Sequence, residues 1–506
     1  MTTETQIETR NHNQPDDNTS PQPLAPCLKR TRIIATLGPA TENQETLKEL
    51  VQRGVNVFRL NMSHGDASHQ DKRIKTLQAI IAELDEPVAL LADLQGPKIR
   101  TGELLDDTPV SLETGAVVTF GCAMPQISKP GYVATKNPEL MPALVENTII
   151  LLDDGKIRLQ VEKRLDNEAV SCRVVQGGML ESRKGINVPQ AVLPIGALTE
   201  KDKEDALAVV KAGVDFIALS FVQRGSDITE LRDFLSTHNL ACPPVIAKIE
   251  KPQALEAIDA ILKEADGLMV ARGDLGVELP PEEVPVAQKQ LVLSAHAVMK
   301  PIIVATQMLE SMIHSMQPSR SDVSDIANAV FEGADAVMLS GETSVGPRPL
   351  ETVSMMGRVI REAEKSIFSE QVHTAIEQQK WLIDNFYHAI AQTACYAALR
   401  ANVKALVVFS HSGTMARRIS KLKPRCPIIA LTLEPKVCKK MAILWGVTPL
   451  LVEFSNQTDV LLENGEKAIF ERNLLARGDS IVFCAGNTNM KGATNMLKIY
   501  HLGKSL

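Results

Sequence analysis

Apolar and polar positions follow two different rhythms along this chain. From residue 31, short apolar runs of β type alternate with stretches of helical spacing. Residues 31–38 (TRIIATLG) read as a strand. Leu47, Leu50 and Val51 then fall on one helical face, and Gly54 stands where that helix should stop. Residues 56–63 (NVFRLNMS) form the next strand, Ile74, Leu77 and Ile81 mark the next helix, and residues 88–95 (VALLADLQ) the third strand. The rhythm then breaks. Between residues 97 and 193 the segments are short and alternating, with turn signals at Asp153-Asp154-Gly155 and Gly177-Gly178. Strands are expected at 117–120, 149–152, 157–161 and 169–175, with no helical period between them. The first rhythm returns with strands at 215–222, 245–250, 268–274, 302–307 and 336–342, and with Gly213 and Gly333 as helix stops. Three strands before the break and five after it predict a (β/α)8 TIM barrel with a β-barrel-like lid inserted after its third strand.

A charged connector over 364–379 leads to a second α/β unit, with strands at 405–409, 428–432, 449–452 and 480–484. These are too few for another barrel and predict an open parallel sheet. The expected plan is a tail at 1–28, a barrel at 29–96 and 194–363, the lid at 97–193, and a C-terminal α/β unit at 364–506. The tail is rich in Thr, Asn, Gln, Asp and Pro and reads as disordered.

Composition narrows the class. The chain has 506 residues, 44% of them hydrophobic, enough for roughly three domains with real cores. Its net charge of −7 argues against a nucleic-acid binder held by phosphate contacts. No apolar run approaches the ~18–20 residues that span a bilayer. The eight cysteines form no C-x-x-C pair and read as reduced thiols, which suggests a cytoplasmic protein. There is no P-loop, no G-x-G-x-x-G and no H-x-x-x-H pattern among the ten histidines.

The candidate chemistry sits where the barrel strands end. Strands buried on both faces should stay apolar, and a charge at their C-terminal end is unexpected unless it faces a cleft. Here the ends carry Arg59, Asn61 and Ser63; Asp93; Ser220; Lys248 and Glu250; Arg272 and Asp274; Thr306 and Gln307; and Glu342. Any one of these fits a surface ion pair. So many in one barrel predict a common site. Glu250 and Asp274 are hard oxygen ligands of the kind Mg²⁺ takes, and Lys248 is a compact cation suited to charge that develops during reaction.

The same residues resemble the pyruvate kinase family, and closely. The matching runs include residues 36–40 (TLGPA), 58–65 (FRLNMSHG), 93–102 (DLQGPKIRTG), 183–189 (RKGINVP), 248–250 (KIE), 270–276 (VARGDLG), 305–312 (ATQMLESM) and 339–343 (LSGET). They lie in the family's order over residues 31 to about 350, and the C-terminal unit matches more loosely. The resemblance implies phosphoenolpyruvate and ADP as substrates, pyruvate and ATP as products, and a homotetramer. It implies that Glu250 and Asp274 hold Mg²⁺, that Lys248 neutralises the transferred phosphoryl, and that Arg59 grips the phosphate. Gly273, Asp274 and Thr306 would receive the substrate carboxylate, with Thr306 or water near the enolate carbon that is protonated. Asn61, His64, Arg100 and Lys184 match nucleotide positions, Lys184 acting when the lid closes.

One departure stands out. Many family members need K⁺, and Asn61, Ser63 and Asp93 stand where its ligands would be. Those members usually carry Thr after the Asp and Glu shortly after the Gly-Pro, whereas this chain has Leu94 and Lys98. An ammonium group at Lys98 is expected to replace the monovalent cation and make turnover K⁺-independent. In the C-terminal unit the family binds phosphorylated effectors through a Thr-x-Ser-Gly-x-Ser/Thr loop. Ser410, Ser412, Gly413 and Thr414 occupy that place, with Ser for the first Thr. They are also ordinary helix-capping residues. Two other classes remain open: an Mg²⁺-dependent lyase or aldolase that stabilises an enolate, and a catalytically silent binder of sugar phosphates.

Overall fold

The computed structural model describes residues 29–63, 67–189, 191, 196–367, 386–453, 455, 458–486 and 494–503. The expected tail and most of the expected connector lie outside them. Eight parallel strands close a barrel: β1 (Arg32–Thr36), β2 (Val55–Asn61), β3 (Ala89–Asp93), β4 (Phe216–Leu219), β5 (Val245–Ile249), β6 (Gly267–Ala271), β7 (Ile302–Ala305) and β8 (Ala336–Leu339). Neighbours follow chain order except at the closure, where β1 pairs with both β2 and β8. Side chains alternate between faces along each strand. Ile34, Val57, Leu91, Phe216, Ile246 and Met269 belong to one buried cluster, while Ile33, Phe58, Leu90, Ile217 and Leu268 pack with the surrounding helices. Both faces are covered, which is why these strands read as continuous apolar runs. Gly213 (φ 88°) and Gly333 (φ 98°) terminate helices in the left-handed region, as their positions predict.

The strand at 268–274 is shorter than expected. β6 stops at Ala271 and the chain turns at once into the helix Arg272–Glu278. Asp274 therefore lies in the first turn of a helix rather than at a strand end.

The insertion between β3 and β4 is built on a curled six-stranded sheet, the expected lid, with two further two-stranded pairings beside it. Its spatial order is Ile186–Asn187, Ile149–Leu152, Ile157–Arg164, Ala169–Gln176, Val117–Gly121 and Tyr132–Ala134. Phe120, Leu152, Leu159 and Val170 form its own core. It also contains the 3-10 helix Pro138–Ala143, which the alternating pattern concealed.

The C-terminal sheet has five strands, in the order Val447–Leu451, Ile428–Thr432, Ala405–Phe409, Ser480–Gly486 and Thr494–His501. The first four are parallel, as expected. The fifth is an antiparallel edge strand that the pattern did not reveal.

This unit docks on the barrel end opposite the polar strand ends. The docking is polar as well as apolar. Asp335, just before β8, accepts from Ile302 N (2.8 Å) and from the buried Lys421 ammonium, and Lys423 lies 3.3 Å from its other oxygen. The Arg32 guanidinium donates to the backbone carbonyls of Leu444 and Val447. Glu364 accepts from Arg30 N and from the Thr31 hydroxyl.

His296 is buried beside this cluster, with its Nε2 at 2.9 Å from Gly333 O. Burial, reinforced by the Lys421 and Lys423 charges and opposed by Asp335, lowers its pKa to about 3. The folded state thus binds its proton less well than the unfolded chain does. Stability from this residue is complete above the ordinary histidine pKa and is lost as pH falls below it. Between pH 6.5 and pH 5 the expected loss is about 2 kcal/mol. Denaturant midpoints over that range should fall in the native chain and fall less in His296→Gln. Equal slopes in the two would refute the assignment.

Candidate active site

Each polar strand end continues the same face as the apolar cluster inside the barrel. Two residues after Ile34 comes Thr36; after Val57, Arg59 and then Asn61; after Leu91, Asp93; after Ala218, Ser220; after Ile246, Lys248 and then Glu250. The period of two delivers all of them to one end of one cavity.

There they form a connected charge network. Arg59 Nε donates to Asp93 Oδ2 at 2.6 Å, and its Nη1 donates to the Thr36 hydroxyl at 3.1 Å. Lys248 Nζ lies 3.2 Å from Asp93 Oδ1 and 2.8 Å from Glu250 Oε1, and donates to Ser220 Oγ at 2.7 Å. Glu250 Oε2 accepts from Phe221 N at 2.7 Å. Asp93 and Glu250 are about 1% exposed, Lys248 11% and Arg59 12%. Only the two cations thus reach towards solvent.

Electrostatics follow from that packing. Burial alone would raise the Asp93 carboxyl, but Lys248 and Arg59 outweigh it and hold it below its ordinary value. Burial would lower the Lys248 ammonium, but Asp93 and Glu250 outweigh it and the shift is upward. Glu250 goes the other way: burial raises its proton affinity, Lys248 opposes this, and Asp274 adds to it. Apart from the Lys248 ion pair, Glu250 Oε1 accepts no hydrogen bond among the described residues.

Thr306 and Gln307 follow β7 with φ of 67° and 55°. A β-branched residue in the left-handed region is strained, and such strain concentrates at functional positions. The Thr306 hydroxyl accepts from Gly273 N at 2.8 Å and donates to Ala305 O at 2.6 Å. The Gly273 N–H, expected to face a substrate carboxylate, is therefore engaged by Thr306 here. Arg272 turns away from the network: its guanidinium pairs with Asp325 and reaches backbone carbonyls of 305–307. Glu342 is a local staple, accepting from Leu309 N (3.1 Å) and Ser340 N (2.7 Å).

Between the barrel end and the insertion lies a cleft of about 530 Å³, lined by Lys98, Arg100, Lys184 and Asp274 among others. Lys184 Nζ is 2.8 Å from Glu181 and 3.2 Å from Asp153 within the insertion. Lys98 Nζ donates to Ser63 Oγ at 2.9 Å. Partial desolvation, then Arg100 and Lys248, lowers its pKa against the pull of Asp274 and Asp93. Asn61 Oδ1 accepts from Ser63 N at 3.1 Å. A second cleft, about 440 Å³, borders Thr36, Arg59, Asn61 and Arg73. His64 lies outside the described residues. Far from both clefts, Ser412 Oγ donates to Thr414 Oγ1 (3.0 Å), and Gly413 (φ 78°) opens the helix Thr414–Lys421. Ser410 is buried at the end of its strand.

The pattern missed one participant. Asp93, already marked as a polar strand end, is the hub shared by both cations. Glu278 lines the same cleft as Asp274, and no charge pattern singled it out.

Both the barrel and the C-terminal unit match known proteins. The profile described as the pyruvate kinase barrel domain matches residues 28–353, and that of the pyruvate kinase alpha/beta domain matches residues 388–500. Pyruvate kinase 2 of Synechocystis sp. is 40% identical over 94% of this chain and 80% of its own length. The pyruvate kinase of Bacillus licheniformis is 38% identical over 94% of this chain and 81% of its own length. The crystal structure of a pyruvate kinase from Cryptosporidium parvum superposes with a TM-score of 0.88 at 33% identity, covering 94% of this chain and 96% of that one. A closed barrel with a sheet inserted after its third strand, a buried charge network at the strand ends and these matches lead to one conclusion: the chain is an enzyme that belongs to the pyruvate kinase family.

Proposed function

We propose that the chain transfers the phosphoryl group of phosphoenolpyruvate to ADP at the network Arg59–Asp93–Lys248–Glu250, giving pyruvate and ATP. That network is the observation carrying the reading. Phosphoryl transfer asks a protein mainly for positioning and for fixed charge. Asp93 orients Arg59 and Lys248 side by side, so two cations face one small volume without searching for it. Arg59 grips the phosphate with its guanidinium fork. Lys248, held protonated by two carboxylates, neutralises charge on the group in flight. Thr306 borders the substrate carboxylate, which displaces the Thr306 bond to the Gly273 N–H.

Among the described residues no group of three or more His, Cys, Asp and Glu is arranged to hold a metal. Mg²⁺ needs no such cage: it takes one or two carboxylates and completes its shell with water and substrate oxygens. Glu250 and Asp274 fit that pattern, since the Asp274 charge adds to the need of the buried Glu250 for a cation, and Glu250 Oε1 keeps acceptor capacity in a buried position. When bound, Mg²⁺ supplies Lewis-acid charge for the phosphoryl and enolate oxygens. Arg100 and Lys184 reach the nucleotide phosphates from the cleft, and closing the insertion excludes water.

The Lys98–Ser63 bond supports K⁺-independent turnover, because the ammonium already occupies a hydroxyl expected to bind the monovalent cation. Pyruvate formation with Mg²⁺ should run at equal rates with and without K⁺ at matched ionic strength. Lys98→Met should run slowly until K⁺ is added. A large K⁺ requirement in the native chain would discard the Lys98 account, and no pyruvate under either condition would discard the function. The Ser412–Thr414 loop supports a phosphorylated effector site. Repeating the assay with fructose bisphosphate, a pentose or hexose phosphate, or AMP tests it, and an unchanged KM for phosphoenolpyruvate with all of them would remove that role.

A further inference from the structure

We propose that Glu278 is a positioning residue that ties the inserted sheet to the helix carrying Asp274, with Asn187 as its partner. Asn187 closes the strand Ile186–Asn187 on the edge of the six-stranded sheet, three residues after Lys184. Its Nδ2 donates to Glu278 Oε1 at 2.8 Å. Glu278 is the last residue of the helix Arg272–Glu278, one turn after Asp274. Its carboxylate is 1% exposed, and Lys251 Nζ, itself 10% exposed, lies 3.9 Å from the same oxygen. Lys251 in turn follows Glu250 directly. The other cross-contact nearby, Gln253 Nε2 to Pro189 O, is longer at 3.4 Å.

Glu278 Oε2 is buried and accepts no hydrogen bond among the described residues. A half-satisfied buried carboxylate is a poor way to stabilise a fold, since an apolar side chain would pack there without that penalty. Its use is geometric. Through Asn187 it holds the strand edge bearing Lys184, and through its own helix it holds Asp274, so the tie sets the spacing that the two sides of the cleft take when the insertion is closed. Displacement by about 1 Å is enough to slow a transfer reaction markedly. The proposal rests on reading Lys184 as a nucleotide contact and deepens it.

The test combines hydrogen exchange with kinetics. Asn187→Ala and Glu278→Ala should each speed amide exchange over residues 184–187 and raise the KM for ADP about tenfold, the effect of losing a hydrogen bond to a charged group. Glu278→Gln keeps the acceptor and should stay within about twofold of the native KM. The double alanine variant should be no worse than the worse single one. Asn187 lies at the sheet edge, so its variant remains informative if Glu278→Ala fails to fold. Unchanged exchange, additive effects, or faster exchange with an unchanged ADP KM would each overturn the proposal. Lys184→Ala is the separate control: if it leaves the ADP KM alone, the nucleotide role of Lys184 fails, while the exchange data still decide the tie.

Discussion

Lys248→Met is expected to lower kcat for pyruvate formation by about a thousandfold, the upper range for removing one preorganised charge from a transition state. Lys248 is the centre of the network, 3.2 Å from Asp93, 2.8 Å from Glu250 and 2.7 Å from Ser220. Methionine fills a similar volume, so the packing changes little while the charge disappears. The variant should also lose stability. It leaves Glu250 buried without its cation, and breaking a buried pair this way costs about 3–5 kcal/mol. Circular dichroism at the assay temperature separates the two effects. Lys248→Arg keeps the charge but not the compact shape, and should recover stability more fully than rate. A folded Lys248→Met with near-native kcat would remove Lys248 from the chemistry.

Asp335→Asn should be the most destabilising substitution outside the active site, by about 3–5 kcal/mol. Asp335 is 1% exposed and is shared by Lys421, fully buried, and Lys423. Burial raises its carboxyl, but Lys421 and Lys423 outweigh that and depress it. Its contribution is therefore present above the ordinary carboxylate range and lost only in strong acid. Without it, two ammonium groups are left buried together. Burial lowers both, Lys423 to about 8 even with Asp335 in place. The unfolded chain binds those protons more tightly, so raising pH above about 8 favours the folded variant and should shrink its deficit. Denaturant unfolding at pH 7 and pH 9.5 reads both effects. Trp445 fluorescence is a local probe, since Lys423 lies 4.5 Å from its ring. A deficit under about 1 kcal/mol, or one that grows with pH, would contradict the cluster's role.

Much of the architecture was legible from local pattern, for a physical reason. A strand covered on both faces must be apolar throughout, so the barrel strands announced themselves as buried runs, and Gly213 and Gly333 marked helix ends because a left-handed turn excludes most side chains. Arg59, Asp93, Lys248 and Glu250 were conspicuous because they violate that apolar rule at one end. The misreadings have an equally local cause. The run Met269-Val270-Ala271 continues into Arg272 without a Pro or Gly break before it, so the strand seemed to reach Asp274; the backbone instead turns into a helix that packs beside Thr306. The strand Thr494–His501 has no clean alternation of its own and exists through pairing with Ser480–Gly486.

By itself, then, the sequence determined the alternation of strands and helices, the place of the insertion and the set of polar residues at the strand ends, because each depends on neighbours a few positions away. Only the tertiary structure decided which of those residues meet. Asp93 joins Arg59 to Lys248 across 34 residues of chain on one side. Lys421 reaches Asp335 across 86 residues, and Asn187 reaches Glu278 across 91. Pairing at such separations is set by barrel closure and by how two sheets dock. Buried charges then take whichever partner that packing brings within reach, and no local pattern encodes the choice.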